Sequence, residues 1–268
     1  MGGLEENARR AARQSLLCIL TLAATSGVGE LELSTVAVAI VCKTPAAGQS
    51  KTRLSPPLRP EECAAISACF IKDVTRSIGR LVAGGGITGY ALYTPQGSEA
   101  VLRALVPEGF ALIAQAGGEL GARLIRGIED LLDAGHAGAI LVNADGPTLP
   151  LAILRAAAEA VRQGDNVVLS PAHDGGYTLI GLSKPHPRLF EDIPWSTNAV
   201  YRRTLDRARE IGLPVVNLPG WYDVDDQASL QMLEDELAGR PPAFAVTAGA
   251  DAPSTRQFLR ARRATERR

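Results

Sequence analysis

Three stretches of this sequence hold residue types able to handle a phosphorylated, cation-bound substrate. The first reads Lys43-Thr44-Pro45-Ala46-Ala47-Gly48-Gln49-Ser50-Lys51-Thr52-Arg53-Leu54. It carries three cations, Lys43, Lys51 and Arg53, and a glycine, Gly48, that lets backbone N–H groups approach an anion. In a loop, Lys51 and Arg53 can converge on a polyphosphate, Arg as a planar fork and Lys as a point charge. The Walker pattern G-x-x-x-x-G-K-[ST] is absent, and a plain solvated basic loop is the competing account. The second stretch, Asn143-Ala144-Asp145-Gly146-Pro147-Thr148-Leu149-Pro150, puts Asp145 just past an apolar run. A carboxylate there can hold a hard divalent cation, since Mg²⁺ takes one or two carboxylates plus substrate phosphates. Helix capping is the alternative, and Thr148 is better placed for it. The third, Gly220-Trp221-Tyr222-Asp223-Val224-Asp225-Asp226, sets Asp223 and Asp225 on one side of an extended segment. Asp226 suits a cap for a helix starting at Gln227.

Other stretches are less specific. Asp174-Gly175-Gly176-Tyr177 reads equally as a site loop and as a hairpin turn. Gln115-Ala116-Gly117-Gly118 leads to Arg123 and offers N–H donors and a guanidinium, although its glycines also serve as turn punctuation. Pro194-Trp195-Ser196-Thr197 reads as the start of a helix with Ser196 or Thr197 as cap. His136, His173 and His186 share no ligand spacing, and there is no G-x-S-x-G elbow, which argues against covalent hydrolase chemistry.

Positioning these loops requires a regular scaffold, and the hydrophobic pattern supplies one. Short apolar runs predict strands at residues 36–41, 89–93, 111–114, 139–142, 166–170, 177–182 and 214–218. Helical spacing predicts helices at 61–81, 119–134, 150–163, 197–211 and 227–237. Alternation of the two implies a mainly parallel sheet with helices on both faces. In such sheets ligands bind beyond the carboxyl ends of the strands, so the loops after Val41, Val142 and Leu218 are where chemistry is expected.

The 268-residue chain is 46% hydrophobic, enough for a sizeable core. A net charge of −1 and 4% aromatics give no general field or stacking surface for nucleic acid. Four cysteines, at 18, 42, 63 and 69, lack C-x-x-C spacing and are expected to be reduced. Residues 1–34 read as an N-terminal extension. Arg9, Arg10 and Arg13 ahead of a nine-residue apolar run imitate a signal peptide, but the run is too short to span a bilayer. Residues 35–240 form the expected catalytic domain, and 241–268 an Arg-rich tail expected to be solvated and frayed.

In order, the Lys43–Leu54 loop, Gln115…Arg123, Asp145-Gly-Pro147, Asp174-Gly-Gly-Tyr177-x-Leu-Ile-Gly181, Ile193-Pro-Trp195-Ser-Thr197 and Asp223-Val-Asp225 resemble one family. It is the family of transferases associated with radical-SAM and selenodomain genes, within the nucleotide-diphospho-sugar transferase superfamily. The resemblance spans about residues 36–237. It is more distantly similar to phospholactate guanylyltransferases and molybdopterin nucleotidyltransferases. Asn143-Ala144 and Gly146 depart from the family's commoner residues around an intact Asp145. The resemblance implies a GT-A, Rossmann-like three-layer α/β/α fold and an Mg²⁺ (or Mn²⁺) cofactor. It implies catalytic roles for Lys51, Arg53 and Asp145, with Asp223 or Asp225 completing the metal shell. Lys43, Gly48, Gln115, Gly117 and Arg123 would bind the nucleotide with Lys51 and Arg53. Asp174, Gly175, Gly176, Tyr177, Trp195 and Thr197 would face the acceptor. The expected reaction is nucleotidyl transfer from an NTP to a small phosphorylated acceptor, releasing pyrophosphate. Glycosyl transfer from an NDP-sugar is the alternative, and a non-catalytic nucleotide-binding module a minor one. Expected partners are a nucleotide donor and a small-molecule acceptor, without nucleic acid or membrane; a homodimer stays open. The expected location is cytoplasmic, where such nucleotides are.

Overall fold

The computed structural model describes residues 35–266. The N-terminal extension and Cys18 lie outside the described residues. Seven strands form one sheet: β1 (Val36–Lys43), β2 (Ile87–Thr94), β3 (Ala111–Ala114), β4 (Gly138–Asn143), β5 (Val167–Pro171), β6 (Tyr177–Leu182) and β7 (Val215–Asn217). Their order is β3-β2-β1-β4-β6-β5-β7, and only β6 runs antiparallel to its neighbours. The helices are α1 (Pro60–Val82), α2 (Glu99–Arg103), α3 (Leu120–Asp133), α4 (Leu151–Val161), α5 (Val200–Glu210), α6 (Gln227–Leu237) and α7 (Pro253–Glu266).

The pleat of β1 shows how the layers arise. Val36, Val38 and Ile40 pack into a core with Ile66, Phe70 and Leu154 of α1 and α4. Ala37 and Ala39 point the other way, toward Leu124 and Ile128 of α3. Both faces of a central parallel strand are therefore covered, which is why its sequence is a continuous apolar run and not an alternating one. All seven expected strands and five expected helices are present, within a few residues at their ends. The helix expected from 197 begins at Val200, because Thr197 accepts from the Ala199 N–H and donates to the Pro194 carbonyl, holding that stretch in a turn.

The Arg-rich tail differs from the solvated stretch expected: it folds into α7, packed on α1. The cause is Asp73, a buried carboxylate on α1 that accepts from the N–H groups of Ser254 and Thr255 and so caps α7 from another element. Arg263 pairs with Glu234 of α6 on the outer side. Asp73→Ala would leave two helix-terminal donors without their acceptor, costing about 2 kcal/mol. A lower urea midpoint and faster tryptic cleavage within α7 are the expected results.

At the opposite edge of the sheet from the site loops, His136 bridges the Thr35 hydroxyl and the Tyr90 phenol. Burial holds its imidazole below the usual range, favouring the neutral form. Unfolded histidine protonates near pH 6.5, so below that pH the unfolded chain binds the extra proton and stability falls. The melting temperature is expected to drop between pH 7.5 and pH 5.5 by more in the native chain than in His136→Gln.

Candidate active site

Backbone lacing brings the acidic loops together at the carboxyl edge of β1, β4 and β5. The Val224 N–H donates to the Asp145 carbonyl, Trp221 N–H to Pro171, and His173 N–H to Trp221. Gly146 permits the closest approach, since a Cβ there would stand 3.2 Å from the Tyr222 carbonyl. Beneath them, the buried Trp221 indole N–H donates to Thr148 Oγ1, which in turn donates to the Tyr222 hydroxyl, which donates to Glu236. Thr148 is thus a strut of the site and caps no helix; Asp226 does cap α6, accepting from the Ser229 N–H at 2.8 Å.

Facing these loops, the segment after β1 closes a cleft of about 240 Å³ lined by Lys43, Lys51, Arg53, Asp145 and Asp225 among others. The Lys51 ammonium lies 2.6 Å from Asp145 Oδ1, 2.9 Å from Asp225 Oδ1 and 2.8 Å from the Val224 carbonyl. Its side chain is only 7% exposed, and the two carboxylates keep it charged despite burial, its pKa lying above the ordinary lysine value. Its backbone is left-handed, φ 49°, a conformation that costs a residue with a Cβ about 1 kcal/mol. Arg53 is 72% exposed and reaches the second oxygen of Asp225 at 3.0 Å. Lys43 is exposed on the rim, its ammonium 3.4 Å from the Gln49 carbonyl. Gly48 takes φ 71° in the turn between them, where a side chain would be strained. Burial and the Asp145 charge push the Cys42 thiol, on the cleft wall, up to about 12, which disfavours the thiolate.

Asp223 does not line this cleft and lies beside it, against Asn143. Burial pushes its carboxyl up to about 8, reinforced by the charges of Asp145, Asp174 and Asp225 and opposed by the Asn143 side chain, whose Nδ2 donates to it at 2.7 Å. The other end of that amide, Asn143 Oδ1, is buried without a partner. The sequence marks Asn143 only as a departure from the resembled family's commoner residues and gives it no site role; an amide ending a buried strand, two residues before the acid, is the available signal.

The remaining candidates are placed differently. Gln115 spends its amide on the Cys42 and Leu92 carbonyls and accepts from Arg123, tying three elements together. Arg123 keeps its Nε buried without a partner, and Gly117 is an exposed loop residue. Asp174 accepts from the Gly176 N–H at the tip of the β5–β6 hairpin. Gly175 is required by packing: at φ 94°, a Cβ would meet the Asn198 carbonyl at 2.2 Å. Tyr177 has a buried hydroxyl without a partner and lies edge-on to Trp195, which abuts Gly121. None of this second group lines the Lys51 cleft.

A mainly parallel, helix-sandwiched sheet with acidic and basic loops at its carboxyl edge is the fold of nucleotide-diphospho-sugar transferases, a GT-A-like three-layer α/β/α arrangement, and the chain is a transferase. The family model DUF2064, described as an uncharacterized protein conserved in bacteria, matches residues 78–197. That span holds Asp145, Asp174 and Trp195 but neither the Lys43–Arg53 loop nor Asp223 and Asp225. Among solved structures, a nucleotide-diphospho-sugar transferase candidate from Desulfovibrio desulfuricans G20 is similar at 28% identity and a TM-score of 0.72, covering 87% of this chain and 97% of that one. A 4-diphosphocytidyl-2C-methyl-D-erythritol synthase from Anaerococcus prevotii DSM 20548 shares the fold at 8% identity and a TM-score of 0.51, covering 78% and 98%. A CMP:2-keto-3-deoxy-manno-octonic acid synthetase complexed with CTP does so at 12% and 0.50, covering 77% and 99%. No curated protein matches the sequence. Among the described residues no helix is long and apolar enough to cross a membrane.

Proposed function

We propose that the chain transfers a nucleotidyl group from an NTP to a small phosphorylated acceptor, releasing pyrophosphate, with Mg²⁺ or Mn²⁺ as cofactor. The observation that carries this reading is the single cleft in which Lys43, Lys51 and Arg53 face Asp145 and Asp225. Cations there suit the β- and γ-phosphates, and carboxylates suit the cation that accompanies them.

Among the described residues no three His, Cys, Asp or Glu side chains are arranged to hold an ion unaided. Asp145 Oδ1, Asp225 Oδ1 and the Val224 carbonyl converge on one point, and Asp223 lies beside Asp145 with the unpartnered Asn143 Oδ1, so the candidate donors are all oxygens. That fits a hard cation completed by substrate phosphates. When bound, the ion neutralises charge developing on the phosphates. The protein's own part is to orient: Arg53 offers its fork to phosphate oxygens, Lys43 adds a charge at the rim, and the laced loops hold Asp145 and Asp223 in place. The acceptor oxygen attacks the α-phosphorus in line as the bond to pyrophosphate breaks. Asp174, Tyr177 and Trp195, outside the cleft, are assigned to the acceptor side, and a soluble cytoplasmic setting accords with nucleotide use.

The similarity to the Desulfovibrio protein, and the resemblance to transferases associated with radical-SAM and selenodomain genes, favour glycosyl transfer from an NDP-sugar as the second reading. Thermal shift with Mg²⁺ against NTPs and NDP-sugars separates the two. A ligand at 100 times its Kd stabilises by about 2.7 kcal/mol. Stabilisation by one NTP above its NDP-sugars is expected; stabilisation by an NDP-sugar alone would make glycosyl transfer the activity.

A further inference from the structure

Lys51 does something no phosphate-binding role requires. An ammonium has three N–H donors, and here all three are satisfied by protein oxygens: Asp145 Oδ1, Asp225 Oδ1 and the Val224 carbonyl. Two carboxylates and a backbone carbonyl are also what a hard divalent cation selects. The contacts of 2.6, 2.8 and 2.9 Å are those of an ammonium, longer than the 2.0–2.1 Å typical of Mg²⁺–oxygen bonds. We infer that the Lys51 ammonium is a resident cation that substitutes for the divalent ion at Asp145, and that it must swing out into the cleft before the ion can bind. This inference rests on the metal-dependent reading above.

Three further observations make the exchange workable. Arg53 holds the second oxygen of Asp225, so that carboxylate stays in place when Lys51 leaves. Lys51 belongs to the loop that lines the cleft, and the same cleft contains Arg53, so an outward side chain meets the space assigned to phosphates. Asp145 is 38% exposed, leaving an approach for the ion that does not pass through the core. With phosphates present, the displaced ammonium gains new acceptors. Metal and nucleotide therefore favour each other's binding, and by linkage the effect is reciprocal. Without nucleotide, Lys51 blocks the metal, and the apparent metal affinity falls by the fraction of molecules in which it has left.

The test uses the full chain and Mn²⁺ alone, titrated by loss of the free-ion paramagnetic resonance signal. The native chain is expected to bind weakly and Lys51→Met at least roughly ten-fold more tightly. Lys72→Met, an exposed site on α1, should match the native chain. Should Lys51→Met fold poorly, amine acetylation read by mass spectrometry on the native chain serves instead. Of the four lysines, at 43, 51, 72 and 184, Lys51 should be protected without metal and become labelled at saturating Mn²⁺. Equal Mn²⁺ affinity in native and Lys51→Met chains, or protection of Lys51 that persists at saturation, overturns the inference while leaving nucleotidyl transfer standing. Absence of Mn²⁺ binding in both overturns it together with the metal assignment.

Discussion

Asp145→Asn is expected to lower turnover by roughly 10² to 10³ or more, the scale of losing a charge-stabilising group at a reacting centre. The isosteric amide keeps an oxygen near Lys51, which retains Asp225 and the Val224 carbonyl as acceptors. Asp145 is also more than a third exposed, so solvent screens the lost pairing and little stability should go with it. Loss of activity with a melting temperature within a few degrees of native is therefore the expected pair of results. A large drop in melting temperature without ligand would instead make Asp145 a structural partner of Lys51. Steady-state kinetics and a thermal melt on the same preparation decide between them.

Trp221→Ala should have the largest effect on stability, about 3–5 kcal/mol for removing a fully buried indole. The loss extends beyond the cavity. Trp221 donates its ring N–H to Thr148, its backbone joins Pro171 and His173, and its ring lies against Tyr222 and Phe244. It thereby sets the position of Asp223 and Asp225, which follow it directly. Trp221→Phe keeps an aromatic ring but abandons the Thr148 contact, for an expected 1–2 kcal/mol. Denaturant melts of both variants, with turnover measured well below their midpoints, separate folding from positioning. A Trp221→Phe chain as unstable as Trp221→Ala would show that the hydrogen bond, not the ring, organises these loops.

The sheet and its loops could be read in advance because strand β1 and its neighbours announce themselves by unbroken apolar runs, and parallel topology then dictates which loops share an edge. The cleft's cations and acids were legible for the same reason. What hid was direction and partnership. Nothing local says that Lys51 turns inward to carboxylates 94 and 174 positions away, or that Gln115 spends its amide on backbone carbonyls. The Arg-rich stretch looked solvated because its composition is polar; its helix depends on Asp73, more than 180 positions earlier and itself indistinguishable in sequence from a surface acid. Asn143 stands out in the sequence only as a departure from the resembled family, because an amide at a strand end carries no periodic signal. Its role appears only once Asp223 is seen beside it. Local pattern thus predicts elements, while the charge pairing that distinguishes this site is long-range.

The most direct test of nucleotidyl transfer is pyrophosphate release from each of the four Mg–NTPs in the presence of a panel of small phosphorylated acceptors. One NTP should yield pyrophosphate in step with a nucleotide-linked product, and Asp145→Asn should lower both by roughly 10² or more. Pyrophosphate from no NTP, with a nucleoside diphosphate released from an NDP-sugar instead, would contradict the account.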